Sequence, residues 1–106
     1  MVVLWSPNAR SILKNIFDYY LEVASRKVAE KMVNKILMSA HALCTMPFMA
    51  PHERTLPGYR SIVVSKTFKV IYRVNEGKGI IEIVSIFDCR QNPAKLRQDV
   101  LKTRKK

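Results

Sequence analysis

The chain is poor in the residues that staple, coordinate or cradle: its 106 residues include three glycines, two cysteines and two histidines. Cys44 and Cys89 have no short-spaced partner, and His41 and His52 supply no second ligand pair beside them, so neither a disulfide framework nor a zinc pattern is present. Both thiols read as reduced and buried, and no metal or other cofactor is called for. With so few glycines there is no phosphate-binding loop. HExxH, a nucleophile elbow and paired-carboxylate spacing are missing too, which removes the standard hydrolase and nucleotide-enzyme readings. No apolar run approaches the ~20 residues of a membrane span. Met1 to Arg10 lack the basic and then apolar regions of an export signal. The expectation is a soluble cytoplasmic protein with no membrane partner.

Acidic residues are scarce as well. Nineteen Lys and Arg stand against eight Asp and Glu, for a net charge of +11. Residues 53–106 carry thirteen bases and five acids and so hold +8 of that excess. An asymmetry of this kind suits a surface that faces nucleic acid or an acidic protein segment, and is silent about fold. The composition, 48% hydrophobic and 25% charged, is that of a globular domain. At this length roughly 65% of the unfolded surface is buried on folding, enough for one core without staples.

Val2 to Trp5 is a short β-favouring run that stops at Ser6-Pro7, where Ser can cap a helix and Pro is pre-set for its first position. Ala9, Ile12, Leu13, Ile16, Phe17 and Tyr20 then follow the i, i+3, i+4, i+7 spacing of an amphipathic helix, with Arg10, Lys14 and Asp18 on its wet side. Ser25 offers a second cap before a stripe of Val28, Ala29, Met32, Val33, Ile36, Leu37, Ala40 and Leu43. So short a connection predicts an antiparallel helical hairpin. Pro47, Pro51 and Pro57-Gly58 break the pattern into a loop.

Beyond Gly58 the texture turns β-branched and aromatic. Tyr59 to Ser65, Phe68 to Val74 and Ile80 to Phe87 read as three strands joined by hairpin turns at Ser65-Lys66-Thr67 and Asn75 to Gly79. The predicted class is α+β, in the order β-α-α-β-β-β, with the hairpin packed on a small, mainly antiparallel sheet. Alternation puts Phe68, Val70, Tyr72 and Val74 on a core face and Lys69, Ile71 and Arg73 on a basic one. Leu96, Val100 and Leu101 have weak helical spacing, and the last residues, rich in Lys and Arg, are expected to be disordered.

The candidate site is a basic surface on or beside this sheet: Arg60, Lys66, Lys69, Arg73, Arg90 and Lys95, with Tyr59 and Tyr72 interleaved. Such cations neutralise phosphate, Arg in bidentate fashion, and can stabilise a developing phosphorane-like charge. A solvated strand face is the plainer reading of any one of them. By alternation Tyr72 belongs to the core. His41 reads as structural, His52 has no evident partner, and neither is assigned a catalytic role.

Taken in order, Leu4-Trp5-Ser6-Pro7-Asn8-Ala9, Ile16-Phe17-Asp18-Tyr19-Tyr20, Tyr59-Arg60-Ser61, Phe68 to Val74 and Ile83 to Arg90 resemble the RelE/ParE superfamily of bacterial toxins. The similarity spans residues 2–96, which implies a toxin domain over 1–96 and a basic tail over 97–106. It further implies a small cognate antitoxin, encoded alongside, whose C-terminal segment wraps the toxin. RelE-like members cut mRNA on the ribosome, whereas ParE-like members poison DNA gyrase.

Arg60, Lys69 and Arg90 match positions where RelE-like nucleases hold cations. Six residues beyond Arg90, where such a nuclease often has Tyr, this chain has Leu96, and no His lies in the C-terminal region. Asp88 beside Arg90 reads more simply as an ion pair than as a base. RNA cleavage needs one group to take the 2′-OH proton and another to protonate the leaving oxygen. The cations are present without that pair, and the Trp-Ser-x-x-Ala opening and long helical hairpin look more like the ParE branch. The resulting expectation is a ParE-like gyrase inhibitor, with a ribosome-dependent mRNA endoribonuclease and a non-catalytic nucleic-acid-binding module as alternatives.

Overall fold

A computed structural model describes residues 1–89. Strand β1 (Val2–Trp5) leads into helices α1 (Pro7–Val23) and α2 (Arg26–Ala42). Three strands follow: β2 (Arg60–Val64), β3 (Phe68–Asn75) and β4 (Ile80–Asp88), with a turn of 3₁₀-helix at Glu76–Lys78 between the last two. The sheet order is β1-β4-β3-β2, with β1 parallel to β4 and the other pairs antiparallel. The expected α+β order and the helical hairpin are therefore present. The basic tail and helical spacing read in residues 90–106 lie outside the described residues, as do Arg90 and Lys95.

Both helix starts follow from local chemistry. Ser6 Oγ accepts from the Ala9 N–H at 3.0 Å with Pro7 behind it, and Ser25 Oγ accepts from the Val28 N–H at 3.2 Å. Each cap satisfies one of the orphan donors of a first turn and contributes about 1 kcal/mol. The Ser6 hydroxyl and the Asn8 amide also donate to the Val84 carbonyl, both at 3.2 Å. The Trp-Ser-x-x-Ala opening thus anchors the β1–α1 corner to β4.

On the helix side of the sheet, Ile16, Ile36, Ala40 and Leu43 pack with Phe68, Val70, Tyr72, Ile81, Ile83 and Ile86. The buried stripe of α2 is narrower than its spacing predicts. Ala29, Ile36 and Ala40 are buried, whereas Val28 and Leu37 are each 40% exposed. One sheet covers only one side of a helix, and residues flanking the seam stay wet. Neither thiol is fully buried as expected: Cys44 is half-buried and Cys89 exposed.

β4 carries an irregularity that sets the faces of the sheet. Ile71 pairs with Ser85 and Tyr72 with Ile83, leaving Val84 as the extra residue of a bulge. Strict alternation from Ile81 and Ile83 would turn Ile86 away from the helices; the extra residue returns it to their side. On the opposite face Ile71, Val84 and Phe87 join Leu56 and Tyr59 in a second buried cluster. That face, expected to be a basic surface, is partly roofed by the segment before β2, because Ile71 and its neighbours are apolar and need cover.

Candidate functional site

The segment between α2 and β2 builds one side of the site. Its prolines interrupt regular structure, yet it packs inward through Leu43, Ala50, Leu56 and Tyr59. Gly58 turns it at φ 87°, a left-handed conformation open to glycine at no steric cost. Residues 51–53 then run along the outer edge of β2: the Glu53 N–H donates to the Tyr59 carbonyl at 2.8 Å, and the Ser61 N–H to the Pro51 carbonyl at 3.2 Å. An open cleft of about 690 Å³ lies here, lined by Met49, Pro51, His52, Arg54, Val63 and Lys69 among others.

Glu53, which carried no signal in the sequence, organises this region. Its side chain is 3% exposed and accepts from the Thr55 backbone N–H at 3.1 Å, the Thr55 hydroxyl, the Ser61 hydroxyl at 3.0 Å and Lys69 Nζ at 3.1 Å. Burial pushes its carboxyl up, but the hydrogen bonds of Thr55, Lys69 and Ser61 outweigh that and hold it at about 2. Lys69, expected to stand free on the sheet, is therefore committed to a buried carboxylate.

Arg73 is committed too. It pairs with Glu82 across the β3–β4 ladder at 2.8 Å, and its guanidinium lies 5.7 Å from the centre of the Tyr59 ring.

Arg60 lies on the other face. Residues directly opposite in an antiparallel ladder share a face, and Arg60 is opposite Tyr72, a buried core residue, whereas Val63 is opposite Lys69. The Arg60 guanidinium donates to the Ala50 carbonyl at 2.7 Å and to His52 Nε2 at 3.3 Å, and sits 5.0 Å from the centre of the Phe48 ring. An arginine has only donors, so in this contact the imidazole nitrogen stands as the acceptor. His52, read as lacking a partner, thus has one. A signal for the placement of Arg60 was available, since it alternates in phase with Ile62 and Val64. Lys66 is exposed at the β2–β3 turn. Tyr72 is fully buried as expected, with its hydroxyl donating to the Pro47 carbonyl at 3.0 Å, and burial raises its pKa.

Of the four described candidates, then, Lys69 and Arg73 share a face, Arg60 occupies the other, and Lys66 projects from the turn. Three of the four are held by partners within the chain. Among the described residues no cluster of His, Cys, Asp and Glu could hold a metal ion. No described helix is long and apolar enough to cross a membrane.

A family model for the ParE toxin of type II toxin–antitoxin system, parDE, matches residues 3–93. Among solved structures, the chain resembles one from the chromosomal ParDE TA system of P. aeruginosa. The two are 24% identical, with a TM-score of 0.74, over 83% of this chain and 95% of that one. It also resembles a YoeB/ParE toxin from Agrobacterium tumefaciens at 18% identity and a TM-score of 0.59, over 83% of this chain and 98% of that one. At these identities the likeness is one of fold. No curated protein sequence matches.

Proposed function

Because the chain belongs to the ParE toxin family of type II toxin–antitoxin systems, we propose that its target is DNA gyrase, which it inhibits in the cytoplasm by gripping a surface rather than by cutting RNA. A cognate antitoxin partners the toxin and neutralises it. The observation that carries the non-cleaving reading is the β2–β3 register, which sets Arg60 opposite Tyr72 and Lys69 opposite Val63.

Phosphoryl transfer is accelerated by cations converging on one developing charge, with a proton acceptor and a proton donor within hydrogen-bond reach. Here two of the matched cations face opposite sides of a sheet. Lys69 is further neutralised by Glu53, and Arg60 is spent on the 48–52 segment. Binding a protein or a protein–DNA complex requires no such convergence, and a net charge of +11 assists encounter with either.

Induction without the antitoxin tests this reading. DNA breaks and a damage response that precede any fall in protein synthesis are the expected outcome. Immediate translation arrest with mRNA cut at ribosome-bound codons would assign the chain to the endoribonuclease branch instead.

A further inference from the structure

The outward face of α2 carries charge of one sign at successive turns. Lys27, Lys31 and Lys35 recur at i, i+4 and i+8, a spacing that stacks them in one stripe, and all three are exposed. Among the described residues none of them has an acidic partner. Elsewhere the helices set opposite charges at this spacing, Lys14 with Asp18 at 3.5 Å and Arg26 with Glu30 at 3.0 Å. Glu30, the one acid of α2, is thus held by Arg26 and leaves the stripe unneutralised.

The stripe works against its own helix. Like charges at i, i+4 repel. The first turn of α2, where the helix dipole favours acids, holds Arg26 and Lys27 and no acid. The opposite side of the helix, with Ala29, Ile36 and Ala40, is the one buried in the core, so packing does not account for the lysines.

We infer that this stripe binds the sugar–phosphate backbone of duplex DNA without regard to base sequence. At a rise of about 1.5 Å per residue, Lys27 and Lys35 stand about 12 Å apart along the helix. One strand of a duplex presents a phosphate about every 3.4 Å of its axis, so about three or four fall within that span.

The chemistry of the stripe singles out this occupant. A lysine ammonium is a compact, strongly hydrated point charge that suits phosphate. The centres of protein–protein interfaces are instead depleted in lysine and rich in aromatic residues, and the residue that lies beside Lys27, Lys31 and Lys35 is the polar Asn34. An anionic membrane surface takes a helix by burying its apolar face, which α2 has committed to the core. A second copy of the chain would set lysine against lysine. The phosphates of a duplex are already regularly placed, whereas a single strand would have to be ordered along the row at a cost in entropy. The inference does not rest on gyrase being the target.

Fluorescence anisotropy of a labelled DNA duplex of random sequence, titrated with the full chain over a series of salt concentrations, tests it. Combining Lys27→Gln, Lys31→Gln and Lys35→Gln is expected to lower the log–log salt slope by about 2.7, at about 0.9 for each phosphate released. A control with equal loss of charge at exposed positions outside the helices, Arg54→Gln with Lys66→Gln and Lys78→Gln, is expected to change it far less. Lys31→Gln alone, with an expected fall of about 0.9, is the second variant if the triple one does not fold. A control that lowers the slope as much as the stripe variant would reduce the effect to net charge and overturn the proposal. So would a parent chain that does not bind the duplex, a slope unchanged in the folded stripe variants, or tighter binding of single-stranded RNA than of duplex. Binding to phosphatidylserine vesicles that the stripe variant loses while keeping its grip on DNA would assign the stripe to a membrane instead.

Discussion

Lys69 Nζ lies 3.1 Å from Oε1 of Glu53, joining a lysine that is one-third exposed to a carboxylate that is almost fully buried. A cation that looks like an element of a phosphate-binding surface is thus a structural counter-ion. Removing one partner of such a pair leaves a buried charge short of a bond. Lys69→Met is expected to lower stability by about 1–3 kcal/mol, because the Ser61 and Thr55 donors remain. The double variant with Glu53→Gln should recover much of the loss. Urea denaturation midpoints of the single and double variants check this, and a Lys69→Met variant as stable as the parent would show the pair to be idle.

The same carboxylate gives the fold an acid limb. The Glu53 carboxyl titrates near 4.5 in the unfolded chain and at about 2 when folded, so between these values the unfolded state binds the extra proton. Its contribution is present above pH 4.5 and is lost as pH falls toward 2. The shift corresponds to about 3 kcal/mol. Thermal melts across this window should lose less stability with Glu53→Gln than with the parent chain.

Arg60 fastens the 48–52 segment to the sheet through the Ala50 carbonyl, His52 and Phe48. A lysine keeps the charge but lacks the planar fork needed for these contacts. Arg60→Lys is expected to speed hydrogen exchange of the Glu53 and Ser61 amides, which close the β2 edge, by about tenfold through a local opening roughly 1.4 kcal/mol easier. Exchange unchanged at these two amides would show that the segment holds itself.

The β2–β3 turn is strained, with Ser65 at φ 53° and Lys66 at φ 60°. A left-handed conformation costs an ordinary side chain roughly 1–2 kcal/mol, and Asn-Gly suits consecutive positive φ values. Ser65→Asn combined with Lys66→Gly should gain about 1 kcal/mol, or roughly 4–8 °C in Tm for a domain of this size. Calorimetry reads the change directly.

What could be read from the chain in advance was whatever local chemistry decides. Ser6-Pro7 and Ser25 placed both helix starts, and the β-branched runs after Gly58 placed all three strands, since caps and alternation act over a few residues. What could not be read depends on distant partners. Glu53 reads as an ordinary loop acid until Ser61 and Lys69 converge on it. The faces of β4 depend on the bulge at Val84, whose carbonyl is held by Ser6 and Asn8 from the opposite end of the chain. Arg60 could have been placed by its phase with Ile62 and Val64, but its basic character suggested the wrong face.

The central claim is that this toxin acts on gyrase by binding. Purified toxin added to DNA gyrase and relaxed plasmid tests it most directly. The account predicts that supercoiling stops, that linear plasmid accumulates, and that mRNA in a parallel translation reaction stays intact. Full supercoiling alongside ribosome-dependent mRNA cleavage would contradict it.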